Sequence, residues 1–242
     1  MSRTSAVFFD VDFTLIHPGP RFQAEGYRET CDRHGITVDP ARFDLAVAGA
    51  TVILDSAEHE FDPQVFIDYT ARIIELMGGD PDRAAAPARE IYDEWASNDH
   101  FALYDDVDET LRVLKRLGLQ LGLISNGHRS LTSFQSHFAL DGLISVSVSS
   151  LDHGYMKPHA SIFRAALELM RVPAAEAVMV GDSYPHDVVG AEHVGMRGVL
   201  LARSGRAVPP EVTSPVIRSL TELPQLLGAE GPNTTSGDSE RR

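Results

Sequence analysis

Five short runs of Val, Ile, Leu, Ala and Phe, at residues 6–9, 119–124, 143–148, 177–180 and 198–201, punctuate the chain. Runs this short and this uniformly apolar predict strands of a sheet covered on both faces, because a strand with one wet face would alternate. Between the runs lie helical patterns. Residues 107–117 carry Leu111, Leu114 and Leu117 on one stripe with Gly118 as a stop, and residues 162–170 place Ile162, Phe163, Ala166, Leu167 and Met170 on one face. Strands that alternate with helices imply parallel β-α-β units, hence an α/β fold with a doubly wound parallel sheet.

The stretch 17–100 breaks the alternation. It holds helical patterns around 22–33, 43–48, 65–77 and 84–95, punctuated by Gly35, Pro40, Gly78, Gly79 and Pro87, with no convincing strand. An inserted helical domain is expected there, with Val65, Ile73, Ile91 and Trp95 in its core rather than against a ligand. The remaining segments, 1–16 and 101–228, would form one discontinuous domain. Residues 229–242, rich in Gly, Ser, Thr and charge, read as a disordered tail.

In an open parallel sheet, ligands bind beyond the carboxyl ends of the strands. Here the first run ends in Asp10-Val11-Asp12-Phe13-Thr14, the second in Ser125-Asn126-Gly127, and the fourth in Gly181-Asp182-Ser183 with Asp187 shortly after. Lys157-Pro158 opens the helix before the fourth strand. Side chains two apart on an extended chain point the same way, so Asp10 and Asp12 can face one pocket. Adding Asp182 and Asp187 concentrates up to four carboxylates. Like charges about 4 Å apart repel by roughly 4 kcal/mol at an effective dielectric near 20, so the cluster calls for cations or protons. Lys157 and a divalent metal would supply them. Oxygen donors without clustered Cys or paired His favour Mg²⁺ over zinc.

In these four motifs, in this order and at these strand ends, the chain resembles the haloacid dehalogenase superfamily. The resemblance covers residues 5–12 and roughly 103–227, and the helical stretch 17–100 is similar to the family's type 1 cap. It implies a Rossmann-like core beneath a cap and a Mg²⁺-dependent phosphatase for small phosphorylated metabolites. It assigns Asp10 as nucleophile and metal ligand, Asp12 as general acid/base that also ligates metal through its carbonyl, and Asp182 as a further ligand. Ser125 and Lys157, together with Asn126 and Thr14, form the phosphoryl-binding set, with the amides of Asn126 and Gly127 orienting the transferred oxygens. Ser183 and Asp187 support the metal. Dehalogenases of the superfamily generally lack the second Asp, and phosphonatases use a cap lysine; the only lysines here, Lys115 and Lys157, lie outside the proposed cap. A phosphomutase, which keeps all four motifs, and a non-catalytic binding protein of the same fold are the alternatives.

Composition narrows the setting. The 242 residues carry 21 Lys and Arg against 35 Asp and Glu, a net charge of −14, which argues against nucleic-acid polymers and membrane surfaces as partners. A single cysteine, Cys31, excludes an intrachain disulfide and Cys-rich zinc sites. Asp10 and Asp12 interrupt the first apolar stretch, so it is neither a secretory nor a spanning segment, and a cytoplasmic location is expected. The scattered histidines lack a zinc pattern. Among them His128 is placed at the pocket rim or in a solvent-facing loop. Arg21 and Arg28 read as an exposed helix face that could otherwise hold an anionic substrate. The oligomeric state is not legible.

Overall fold

The computed structural model describes residues 3–56, 59–203 and 208–228. Six parallel strands, β1 (Ala6–Phe9), β4 (Gln120–Ser125), β5 (Ile144–Ser149), β6 (Ala177–Gly181), β7 (Arg197–Leu201) and β8 (Val216–Ile217), are ordered β5-β4-β1-β6-β7-β8. The α/β, Rossmann-like reading therefore holds. All four β1 side chains are fully buried, and they divide between two apolar layers. Val7 and Phe9 pack with Leu111 and Leu114 of helix α5 (Val107–Arg116), whereas Ala6 and Phe8 pack with Ile162, Phe163 and Ala166 of α8 (Ala160–Met170). That two-residue alternation between two dry faces is why the run contains no polar side chain.

Register decides where the polar strand ends meet. Phe9 pairs with Leu123 on one side and with Val180 on the other, so β1, β4 and β6 finish level with one another. Asp10 just after β1, Ser125 at the end of β4 and Asp182 just after β6 consequently emerge along one edge of the sheet.

Two further strands, β2 (Ile16–Pro18) and β3 (Phe101–Leu103), pair antiparallel, and the chain between them forms α1 (Ala24–Arg33), α2 (Phe43–Ser56), α3 (Pro63–Leu76) and α4 (Ala85–Trp95). The expectation of no strand in 17–100 fails at its first two residues, His17 and Pro18. Three-residue strands are too short to show a period. Helix α2 also runs well past residue 48. It passes through Gly49, where an added Cβ would lie 3.0 Å from Leu76 Cδ1, so the missing side chain lets α2 and α3 approach closely. The short strand β8 was not anticipated either. The tail at 229–242 lies outside the described residues. None of the described helices is long and apolar enough to cross a membrane.

A polar knot joins α4 to α1. Glu90 accepts hydrogen bonds from Arg33 and from Arg21, and its other oxygen meets His34 Nε2 at 2.7 Å. The Arg33 and His34 contacts pull the Glu90 carboxyl from 4.5 to about 2. A depressed carboxylate stabilises the fold above its unfolded pKa, and that stabilisation is lost as pH falls through the folded value. Because Glu90 is partly exposed, solvent screening trims the contribution to about 1 kcal/mol. Glu90→Gln is therefore expected to lower urea-unfolding stability by about that amount at pH 7, with the deficit narrowing below pH 4.5 toward 2. An equal deficit at pH 7 and pH 3 would show that the ion pairs contribute nothing.

Candidate active site

Beyond Phe9 the β1 ladder continues for one residue, since the Asp10 N–H donates to Val180 O at 2.9 Å. The chain then folds back on itself. Leu15 N–H donates to Val11 O at 2.8 Å and Phe13 N–H to Ile16 O at 2.7 Å, which places Phe13 at φ 62°. The left-handed region is unfavourable for a bulky side chain, and here it turns the Phe13 ring toward Trp95, 6.2 Å between centroids.

Lys157 binds the strand ends together. Its ammonium donates to Asp10 Oδ1 at 2.6 Å, Asp187 Oδ1 at 2.7 Å and the Ile124 carbonyl at 2.8 Å, so all three N–H groups have acceptors. Only 3% of the residue is exposed. Burial opposes the charge, but Asp10 and Asp187 outweigh it and hold the ammonium above its ordinary pKa. Burial likewise raises the Asp10 carboxyl, against the pull of Lys157. The lysine is itself anchored by a reciprocal pair: Lys157 N–H donates to Asn126 Oδ1 at 2.7 Å, and Asn126 Nδ2 donates to Lys157 O at 2.9 Å.

Asp187 reaches the cluster from a π-helical turn, Tyr184–Val189, and its second oxygen accepts from Ser183 N–H at 3.0 Å. It fits because residue 181 is glycine; a Cβ there would lie 2.1 Å from Asp187 Oδ2. Carboxylate oxygens of Asp10, Asp182 and Asp187 come within 4.8 Å of one another. Three carboxylates against one ammonium leave two negative charges in excess, and the donors are all hard oxygens. This composition fits a divalent cation such as Mg²⁺.

Asp12 stands in a different environment. Its Oδ1 accepts from Arg129 Nη2 at 3.2 Å, and Trp95 also donates to its side chain. Burial raises its pKa, with Arg129 opposing and Asp10 reinforcing the rise. Arg129, 5% exposed, donates in addition to Asn98 Oδ1 at 3.1 Å and lies over the Phe101 ring at 4.0 Å. One guanidinium thus connects Asp12 to the junction between α4 and β3.

These groups form the floor of a cavity of about 370 Å³. Asp10, Asp12, Asn126, Lys157, Asp182, Ser183 and Asp187 all line it. Thr14 and Ser125 are buried and are not among its lining residues; Thr14 Oγ1 is buried without a partner. The Asn126 carboxamide is engaged by the Lys157 backbone, and the Gly127 N–H donates to Ser150 Oγ at 2.9 Å, so neither is directed to a ligand. Val65, Ile73, Ile91 and Trp95, read from sequence as helical core, line the cavity, while Ile73 and Ile91 also belong to the buried apolar core and Trp95 packs against it. Helical periodicity marks an inward face without saying whether that face meets protein or a ligand. Arg21 and Arg28 are spent on Glu90 and Glu94 and on Glu25 and Asp32 respectively, and neither lines the cavity. His128 does, stacked on Tyr92 with centroids 4.0 Å apart. Arg129 was missed; an arginine four residues beyond Ser125 was the available signal, and only the fold brings it to Asp12.

The family model for haloacid dehalogenase-like hydrolases matches residues 4–195, and the chain belongs to that family. It is 31% identical over 235 residues to the glyceraldehyde 3-phosphate phosphatase of Pyrococcus furiosus, covering 94% of this chain and 93% of that protein. Among solved structures it resembles a phosphatase of the family from Thermococcus onnurineus, with a TM-score of 0.65, 26% identity, and 94% and 99% of the two chains covered. A 2-haloacid dehalogenase from Pseudomonas syringae pv. Tomato DC3000 is similar to much the same degree, with a TM-score of 0.62, 25% identity, and 93% and 99% covered. The fold therefore accommodates both chemistries, and the site has to discriminate between them.

Removing Arg129 tests its hold on Asp12. Breaking a buried pair from one side typically costs about 3–5 kcal/mol, because the remaining charge is left without compensation. Arg129→Met is expected to lose that much at pH 7.5. Since Asp12 is already raised by burial, acidification protonates it in the folded variant and relieves the penalty, so the deficit should shrink by pH 5. Urea titrations at the two pH values measure this. A deficit independent of pH would mean that the guanidinium acts only by packing on Phe101.

Proposed function

We propose that the protein is a Mg²⁺-dependent phosphatase that hydrolyses small phosphate monoesters through an aspartyl-phosphate on Asp10. The observation that carries the reading is the pair Asp10 and Asp12 on one cavity floor with different cationic partners, Lys157 for the first and Arg129 for the second. A dehalogenase needs the nucleophile alone. A phosphoester needs a proton for its departing alcohol as well, and the second carboxylate supplies a group to deliver it.

In the first half-reaction an Asp10 carboxylate oxygen attacks phosphorus. The bond from phosphorus to the ester oxygen breaks, and protonated Asp12 gives its proton to the leaving alkoxide. In the second, Asp12 takes a proton from water as the water oxygen attacks phosphorus. The acyl-phosphate bond breaks, releasing inorganic phosphate and restoring the Asp10 carboxylate. The balance is one ester and one water consumed, one alcohol and one phosphate released. Lys157 holds Asp10 and compensates charge on the phosphoryl oxygens. Asp10 and Asp182, with Asp187 and Ser183 behind them, would hold the Mg²⁺, and that ion supplies the remaining neutralisation of phosphoryl charge. Residues 17–100, which include helices α1 to α4, act as a cap that excludes bulk water and contacts the leaving group.

Hydrolysis of p-nitrophenyl phosphate is expected with Mg²⁺ and is expected to vanish on chelation with EDTA and return when Mg²⁺ is restored. Full turnover after exhaustive metal removal would dispose of the metal-assisted reading.

Rapid-quench trapping separates the carboxylates. Asp10→Asn should yield no phosphoenzyme. Asp12→Asn should still be phosphorylated by the nitrophenyl ester, whose leaving group needs little protonation, yet turn over about 10²- to 10⁴-fold more slowly. Phosphoenzyme at the wild-type level in Asp10→Asn would place the nucleophile elsewhere.

A further inference from the structure

The cavity has two unlike halves. Its floor is the charged edge of the sheet, whereas its opposite wall, contributed by helices α1 to α4 and their connections, is apolar and aromatic. Phe22, Phe43, Val47, Phe66, Ile73 and Trp95 all face the space, and among the described lining residues from 18 to 95 none is charged. Resting on the phosphatase reading above, we propose that this wall selects phosphate monoesters whose leaving group is an uncharged alkyl or aryl alcohol, over acidic or polyhydroxylated leaving groups.

Two of the polar handles on that wall are already occupied. The Tyr27 hydroxyl is engaged with Thr70, and the Gln23 carboxamide donates to Pro18 O at 3.4 Å. Of the arginines next in sequence to lining residues of this wall, Arg21 is consumed by Glu90 and Glu94, Arg28 by Glu25 and Asp32, and Arg72 by Glu75, and neither these nor Arg42 lines the cavity. A leaving group that bore a carboxylate would enter this space with no cation to meet it. An unpaired charge in an apolar cavity is far costlier than an unpaired hydroxyl, which itself costs about 1–3 kcal/mol. His128 does not rescue such a charge, because burial holds its imidazole below the ordinary pKa and so neutral. A hydrocarbon of matching size gains instead, since each methylene transferred from water gains about 0.8 kcal/mol. The cavity, about 370 Å³, lies at the lower end of the roughly 300–1,000 Å³ usual for small-molecule sites, which favours a short chain or a single ring.

Non-hydrolysable phosphonates test the wall independently of turnover. Ethyl-, butyl- and hexylphosphonate, titrated calorimetrically into the full chain with MgCl₂, should bind with Kd falling about fourfold per methylene, or about 0.8 kcal/mol, until the cavity is full. Phosphonoacetate and 2-hydroxyethylphosphonate should bind more weakly than ethylphosphonate. A Kd that does not change with chain length, or tighter binding of either polar phosphonate, overturns the proposal. Hydrolysis of ethyl and hexyl phosphate is measured beside it. If the phosphonate series behaves as expected and no ester is turned over, the phosphatase reading fails while the apolar selectivity of the cavity stands. If ethyl phosphate is hydrolysed and the series is flat, the phosphatase reading stands and the selectivity proposal is overturned.

Discussion

Everything on the cavity floor depends on one buried ammonium. Lys157 ties together three chain segments that parallel pairing brings to one edge of the sheet: Asp10 after β1, the end of β4 through the Ile124 carbonyl, and Asp187 in the π-helical turn after β6. Without it, Asp10 and Asp187 would face each other as uncompensated carboxylates, and burial would force one of them to hold a proton. The cost of burying a lysine is high, and only the complete set of three acceptors offsets it. Asn126 matters for the same reason at one remove. Its carboxamide fixes the backbone from which the lysine projects.

That dependence explains which parts of the molecule were legible in the sequence. The strands were, because β1, β4 and β6 must be dry on both faces and so admit almost no polar residue. Level strand ends then follow from parallel pairing, and with them the convergence of Asp10, Asp182 and Lys157. Asp187 was legible as a member of the acidic set, though not its contact with Lys157 through a turn that requires glycine at 181. Thr14 and Asn126 illustrate the limit. A hydroxyl or carboxamide near a site can serve ligand or backbone with equal chemical ease, and only coordinates say which.

The helices above the floor were less transparent for a related physical reason. Ile73 and Ile91 are almost fully buried and yet line the cavity, so a residue can be both core and wall. Apolar periodicity reports removal from water, and a closed cavity removes water as effectively as protein does. Arg129 was hidden for the opposite reason: its partners Asp12 and Asn98 are 117 and 31 residues away in the chain, a separation at which no local pattern operates.

Charged floor and apolar wall also act on each other. A wall that is largely apolar and aromatic, with no Asp, Glu, Lys or Arg among its described lining residues from 18 to 95, keeps the local dielectric low, and at low dielectric every interaction on the floor is stronger. Asp10 and Asp12 are separated by a single residue, yet this environment treats them differently. The first is clamped to a lysine within a cluster that needs a further cation; the second lies beneath Trp95, with its burial only partly offset by Arg129. Burial lifts both carboxyls above their ordinary range, and a carboxyl so lifted is better able to carry a proton to a departing alcohol. In the proposed reaction the wall therefore does more than recognise the leaving group, because the burial it provides favours the protonated form of Asp12, against the opposing hydrogen bond from Trp95 and the charge of Arg129.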